Sequence, residues 1–497
     1  MLSFAPGRFA PGRLAVGLML VLASAIAWGQ TTSSSGSGTP TQYVIRVTQA
    51  SAGLQPQNPF SGSVPAGKAT PGVLPLSLKD AIDRGLKQNL GLLLASEGIP
   101  SARGQWWKAL SELLPNVATS TGFSAQQRNL QAEGIDLSGL RNIGVNVSPI
   151  VGPFGVFDTR AYLTQSVLNW KSIQQTRSDG QQIRAARYSY KDARELVVFA
   201  VASAYLQTIA DSARLETAVA QQDTAEALYR QAEDQLKAGT TAAIDALRAK
   251  VEVQTRQQQV ISARNELAKQ KIVLGRVVGL PTGQGLMLTS TATYPPPSKI
   301  SLDEALMRAY ASRADYQSAL AQVHAAELAR KAAAAGYYPS VSTAVNYGDI
   351  GLNPGNSHGT VQATAALNIP IFQGGKVHGD VLQAEATLRQ GRELLDNLRA
   401  QIDQDVRNAL LDMQSAADQV EVARSSVDLA NQTLIQARDR FSAGVTDNIE
   451  VLQAQQSVAS ANESLISSLY SYNVSKIALG RAIGNAEAGV QEYLKGR

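Results

Sequence analysis

Leu76-Ser77-Leu78-Lys79-Asp80-Ala81-Ile82 returns 224 residues later as Ile300-Ser301-Leu302-Asp303-Glu304-Ala305-Leu306, and the reading of the fold turns on that return. At the same offset Pro115, Val117 and Thr119 come back as Pro339, Val341 and Thr343. Further on the offset becomes 205, where Gly239, Gly275-Arg276 and Gly279 recur as Gly444, Gly480-Arg481 and Gly484. The change of offset marks a deletion between the two sets of matches, inside a strand hairpin. A repeat of this length is a duplicated half-protein, not a solenoid unit.

Each copy reads as a strand hairpin followed by a long helical hairpin. Leu78 to Leu113 has a helical pattern, with a break expected at Gly98-Ile99-Pro100. Pro115 then marks a switch to period two. Val117, Thr119 and Thr121 alternate with Ala118, Ser120 and Gly122 up to about Arg128, and a return run covers about 156–168. The second copy has runs at about 339–349 and 360–372, with Val361, Ala363, Ala365, Leu367, Ile369 and Ile371 on one face and Pro370 near the end. These lengths match the ~9–11 tilted residues of a membrane-crossing strand. The loop at 129–153, with Gly134, Gly139, Gly144 and Gly152, is long, whereas that at 350–359 is short.

Gly379 to Phe441 holds no proline and one further glycine, so a helix of about 95 Å is allowed. Its last part has a three-four spacing: Val406, Ala409, Met413, Ala416, Val420, Ala423, Val427, Ala430, Leu434, Ala437, Phe441. The partner helix repeats the spacing from Val451 to Leu479, and the first copy does so less strictly over 201–236 and 246–274, with Asp211, Gln222, Arg256 and Gln270 at seam positions. Such a 3.5-residue repeat means coiled-coil packing, and alanine at alternate positions permits close approach.

The N-terminus carries Arg8, Arg13 and an apolar run from Leu14 to Ala27 ending Ala25-Ile26-Ala27, which predicts a signal peptide over 1–27. No other stretch reads as a transmembrane helix, so a membrane-resident mature chain must form a barrel. Residues 28–75, rich in Ser, Thr, Gly and Pro, read as a disordered extension with one β-like run at 43–48. Without cysteine there is no disulfide, thiolate or N-terminal lipid attachment; a net charge of +5 without basic clusters does not imply nucleic acid. His324, His358 and His378 are far apart, Gly374-Gly375 is a strand-to-helix turn, and no catalytic constellation is found. The expectation is no cofactor, no metal and no enzyme.

Four strands cannot close a barrel, and strands with free edges are not viable in lipid. Identical chains must supply the rest: two give eight strands, three give twelve. The long helices favour the wider ring. The domain reading is 76–299 for the first repeat (strand hairpin about 115–168, helical hairpin about 171–279), 300–484 for the second (339–372 and 376–484), and 485–497 as a tail.

The helix turns carry a resemblance. Phe441-Ser442-Ala443-Gly444-Val445-Thr446-Asp447-Asn448-Ile449-Glu450-Val451-Leu452, paired with Lys237-Ala238-Gly239-Thr240-Thr241-Ala242-Ala243-Ile244-Asp245-Ala246-Leu247, is similar to the helix tips of TolC-family outer membrane efflux proteins. The resemblance covers about 76–484. It implies an α+β membrane protein, a homotrimer with a twelve-stranded β-barrel on a periplasmic α-helical barrel. It also implies a passive exit duct for a tripartite pump or type I secretion system, set in outer membrane lipid. Its partners would be a periplasmic adaptor and an inner-membrane transporter of RND, ABC or MFS type. The other reading of the helices is an exported trimeric coiled-coil stalk or adhesin without a lumen.

Gly239 and Gly444 read first as helix C-caps; the resemblance adds that these tips, with Ala238, Thr240, Ala443 and Val445, dock the adaptor. Asp245 and Glu450 read first as favourable charge in a first helical turn, with Asp447 and Glu450 spaced as a capping box. In the resembled family, acidic rings and a tyrosine–arginine–aspartate network close the mouth. Glu450 matches one ring position, while Gln453 stands uncharged at the next. Phe441 stands at the latch tyrosine and Thr446 at the latch arginine, with Asp245 retained, so a weaker or differently built gate is expected. Trp106, Trp107, Trp170, Tyr337, Tyr338 and Phe372 lie just outside strand ends and read either as an interfacial girdle or as packing at the strand–helix junction.

Overall fold

The two halves begin alike because each opens on a capped helix. Ser77 Oγ accepts from the Asp80 amide at 3.1 Å, and Ser301 Oγ from the Glu304 amide at 3.3 Å. The computed structural model describes residues 59–134, 148–240, 242–289, 300–443, 445–446, 448–487 and 489. The expected signal peptide, the run at 43–48, Gly139, Gly144, Gly444 and Asp447 lie outside the described residues.

After the short strand β1 (Leu74–Leu76), the first half runs α1 (Leu78–Gln88), α2 (Leu90–Ser111), β2 (Asn116–Asn129), β3 (Ile150–Leu168), α3 (Trp170–Lys237) and α4 (Ala243–Val278). A second short strand, β4 (Leu286–Leu288), pairs in parallel with β1. The second half then repeats the series as α5 (Leu302–Ser312), α6 (Ala314–Ala334), β5 (Ser340–Gly351), β6 (Ser357–Asn368), α7 (Lys376–Ser442) and α8 (Asn448–Ala482). The 67 residues of α7 span about 100 Å.

Three local expectations are corrected. The first helical stretch breaks at Asn89, not at Gly98-Ile99-Pro100, and Pro100 lies inside α2. Asn89 forces the break by capping α2, its Oδ1 accepting from the Gly91 amide at 2.9 Å while its Nδ2 donates to the Phe60 carbonyl at 2.8 Å. Packing of α2 along α3 offsets the cost of the internal proline. Second, the extension expected to be disordered up to residue 75 is ordered in its described part: the Val64 amide bonds the Gln88 carbonyl, the Ala66 amide bonds that of Gly279, and β1 pairs with β4. These partners lie some 20 to 210 residues away, out of reach of a composition argument. Third, β6 ends at Asn368, so Ile369, Pro370, Ile371 and Phe372 follow the strand; proline has no amide to continue the ladder.

A stretch of α3 is also apolar enough by composition to cross a membrane, contrary to the sequence reading, but half of it is buried inside the fold. Its Val197, Val198, Val201, Ala202 and Tyr205 are buried in a core with Leu78, Ala81 and Ile82 of α1 and Leu274 and Val278 of α4. The second half builds the same core from Ala305, Ala309, Ile402, Val406 and Leu479. Ala81 and Ala305, Val201 and Val406, and Leu274 and Leu479 are related by the two sequence offsets.

The four long strands form one antiparallel sheet in the order β2-β3-β5-β6, which leaves β2 and β6 as edges. Register puts Val117, Phe123, Leu163, Val345, Tyr347, Val361 and Leu367 on one face, and Ser120, Asp158, Arg160, Asn346, Gln362 and Thr364 on the other. On the polar face Arg160 Nε donates to Asp158 Oδ1 at 2.7 Å and Asn346 Nδ2 to Gln362 Oε1 at 3.3 Å. Among the described residues no helix covers the apolar face, and Val117, Phe123, Val361 and Leu367 are largely exposed.

The helix break of the second half falls at Arg313, 224 residues after Asn89. Arg313 is buried and holds Asp315 at 2.7 Å and Asp405, on α7, at 3.0 Å. Burial works against the Asp315 charge, but the guanidinium overrides it and keeps that carboxyl below its ordinary value. Arg313→Ala is expected to destabilise the protein by about 2–3 kcal/mol, less than for a fully buried pair because Asp405 is partly in solvent. Since the folded Asp315 value is depressed, its contribution is intact above about pH 4 and fades as pH falls through that lower value. Thermal unfolding of both forms across pH checks this.

Candidate functional site

The tips of the helical hairpins are built by the same backbone device twice. At the end of α3 the Thr240 amide reaches back to the Gln235 carbonyl and the Gly239 amide to that of Leu236, both at 3.0 Å. Gly239 has φ +69°, the left-handed conformation this closure needs. At the end of α7 the Val445 amide reaches the Arg440 carbonyl at 3.0 Å, the equivalent bond 205 residues on. Ala238, Gly239, Thr240, Ala443 and Val445 are all exposed, so the turns offer small side chains and one valine to solvent.

Of the residues singled out for a gate, Phe441 is buried. It packs with Leu434, Ala437, Val451 and Ala454 of its own hairpin and with Leu228 of α3, and so joins the two hairpins near their tips. Asp245 sits in the first turn of α4 and pairs with Arg248 at 3.3 Å, and its carbonyl accepts from Asn448 Nδ2 at 3.3 Å. The start of α8 thus touches the start of α4. Thr446 is half-buried and Gln453 exposed. Glu450 lies 3.1 Å from Arg440, across its own turn. That arginine was missed in the sequence; the signal was a basic residue in the last turn of α7, ten positions before Glu450. The pair cancels much of the charge a bare glutamate would present.

Between the hairpins, α3 meets α8, and the joint is polar where the seam residues are polar. Arg256 of α4 is buried; it donates to Glu252 at 2.6 Å, Gln221 of α3 at 3.1 Å, Gln259 at 3.0 Å and Gln456 of α8 at 3.0 Å. Higher up, Arg214 of α3 bridges Asp211 at 2.8 Å and Glu463 of α8 at 2.9 Å. Clefts of about 470 Å³ and about 430 Å³ flank Arg256. Gln455 Oε1 and Arg438 Nε are buried without protein partners among the described residues. Both residues line the larger cleft, which is polar and roomy enough for water. Arg256 was visible in the sequence as a charged seam residue, but its four partners come from three helices.

The aromatics at the strand ends divide. Trp106 and Trp107 stack edge to face with centroids 5.2 Å apart; Trp106 is half-buried over Gly180 of α3, so it packs at the junction. Trp107, Trp170, Tyr337, Tyr338 and Phe372 are exposed where the sheet gives way to helices.

The chain joins an open sheet, polar on one face and apolar on the other, to long paired helices, and each half contributes one strand hairpin and one helical hairpin. Residues 81–280 and 305–485 match the family described as "Outer membrane efflux protein", and the chain belongs to that family. The probable outer membrane lipoprotein SilC of Salmonella typhimurium is 24% identical over 52% of this chain and 56% of its own length, little more than half of that relative. Outer membrane protein TolC of Escherichia coli (strain K12) is 23% identical over 65% of this chain and 68% of its own. In fold, the chain resembles the crystal structure of the Campylobacter jejuni CmeC outer membrane channel, with a TM-score of 0.70 at 18% identity, over 90% of this chain and 97% of that one. Family and fold thus place the chain among the outer membrane efflux proteins, and the reading as a stalk without a lumen finds no support in these likenesses.

Arg256→Ala would leave Glu252 and three glutamines without their donor, and is expected to cost about 3 kcal/mol or more. Arg256→Lys should recover only part of this, since an ammonium cannot spread over the same fork of acceptors. Unfolding of the purified protein measures both; equal stability of all three forms would show the node to be dispensable.

Proposed function

We propose that three copies close their sheets into a twelve-stranded barrel over a helical tube, forming a passive exit duct of a tripartite efflux pump or type I secretion system. A periplasmic adaptor docks at the helix tips around Ala238–Thr240 and Ala443–Val445, and an inner-membrane transporter supplies the energy. The observation that carries this reading is the sheet: two free edges, an uncovered apolar face suited to lipid and a polar face suited to a lumen. The outer helix of each hairpin adds support. Leu247, Val251 and Ile261 on α4, and Val422, Leu429 and Ile435 on α7, are exposed apolar residues on the flanks where neighbouring copies would meet. In this reading the barrel is the membrane attachment.

Duplication also supplies the register of closure. Inside the chain Leu163 of β3 faces Val345 of β5. Strand pairing matches Thr164 with Asn368 between the halves, so Leu163 corresponds to Leu367, and Val345 to Thr121. Leu367 of one copy then faces Thr121 of the next. Both belong to the apolar face, a parity that a one-residue slip would break. Thr121→Cys combined with Leu367→Cys is expected to give covalent species of up to three copies on oxidation; a chain that stays a water-soluble monomer would overturn the reading.

At the mouth, Arg440 shields Glu450. In single-channel recordings Arg440→Ala should shift the reversal potential toward cation selectivity and Glu450→Gln toward anion selectivity. If neither moves it, the pair is only a brace for its hairpin.

A further inference from the structure

Where the first half of the chain meets the second, α3 lies along α6, and small polar side chains make the contact. Ser189 Oγ lies 2.9 Å from Ser318 Oγ, Ser318 Oγ donates to the Ala185 carbonyl at 3.0 Å, and Ser178 Oγ donates to the Ala325 carbonyl at 2.8 Å. In a closed ring this boundary recurs between copies, because β6 must meet β2 of the next copy as β3 meets β5. There α7 takes the place of α3, and α2 of the next copy takes the place of α6. The offset of 205 carries Ser189 to Leu394, and the offset of 224 carries Ser318 back to Leu94.

Both positions hold leucine, and both are on the outside of the single chain: Leu394 is 69% exposed and Leu94 60%. Their heights agree independently. Leu394 stands about 27 Å along α7 from its start below the sheet, and Leu94 about 26 Å from the end of α2 below the sheet. Two exposed leucines at matched depth, on the two helices that ring closure brings together, are a self-complementary apolar contact. We propose that Leu394 of one copy packs against Leu94 of the next, an apolar clasp joining neighbouring copies below the barrel. This rests on the closed-ring reading above and names the residues that hold the ring on its helical side.

The replacement of serine by leucine has a physical cause. Within the chain, covalent connection already brings α3 and α6 together, so a small contact with two hydroxyls suffices. Between copies, association must offset lost translational and rotational freedom, and removing apolar surface from water supplies the driving force. At this depth neither leucine is at the level of the strands, so lipid does not account for the exposure.

The cysteine-free sequence makes the test direct. Full-length protein carrying Leu94→Cys and Leu394→Cys, purified in detergent and oxidised with copper phenanthroline, should place at least half of its chains in two- and three-copy species that dithiothreitol returns to monomer. Ser189→Cys with Ser318→Cys should bridge within the chain and give no larger species, which also reports that the helices have folded. If Thr121→Cys with Leu367→Cys links copies while the leucine pair does not, the clasp is wrong and the ring stands. If only the serine pair bridges, ring and clasp both fall. In an otherwise native chain, Leu394→Asp should dissociate the ring at lower temperature than Leu394→Met; equal dissociation temperatures would also overturn the clasp.

Discussion

Unpaired strand edges constrain everything else in this molecule. β2 and β6 each present a row of amides and carbonyls with no strand partner among the described residues, on a sheet whose apolar face no described helix covers. In water such edges invite aggregation; in lipid they are not tolerated at all. The outer helices α4 and α7 also carry exposed apolar residues below the sheet, among them Leu247, Val251, Val422 and Leu429.

The duplication is more than a historical trace, because it shows which contacts are structural necessities and which were free to change. Capping serines, paired cores and the glycines after the second helices, Gly279 at φ +77° and Gly484 at φ +74°, are kept in both halves. The joint between the short helices is kept in place but not in chemistry: a neutral asparagine bound to a carbonyl in one half, a buried arginine holding two aspartates in the other. The strand hairpin differs most: the connection from Asn129 to Ile150 is longer than that from Gly351 to Ser357.

Along the hairpins, apolar seams and polar nodes alternate. The second hairpin is sealed by side chains such as Val406 and Val420, while its joint with the first combines apolar packing, Phe441 on Leu228 and Ile477 in the core of α3, with hydrogen bonds at Arg256 and Arg214. At the tips, Asp245 and Glu450 each have a basic neighbour on their own hairpin, Arg248 and Arg440.

What the sequence determined by itself was periodic and local. The 3.5-residue seam, the period-two runs after Pro115 and Pro339, and the repeat offsets are set by the geometry of a single helix or strand, so the fold class and the order of elements could be read from them. The glycine caps were legible for the same reason, as was the shortage of strands. Tertiary structure alone decided the contacts between residues far apart in the chain. It placed the helix break at Asn89, because its partner is Phe60; it tied residues 59–76 to Gln88, Gly279 and β4; and it gave Glu450 its arginine and Arg256 its four acceptors. Such pairings follow from where whole elements come to rest, which no local spacing encodes.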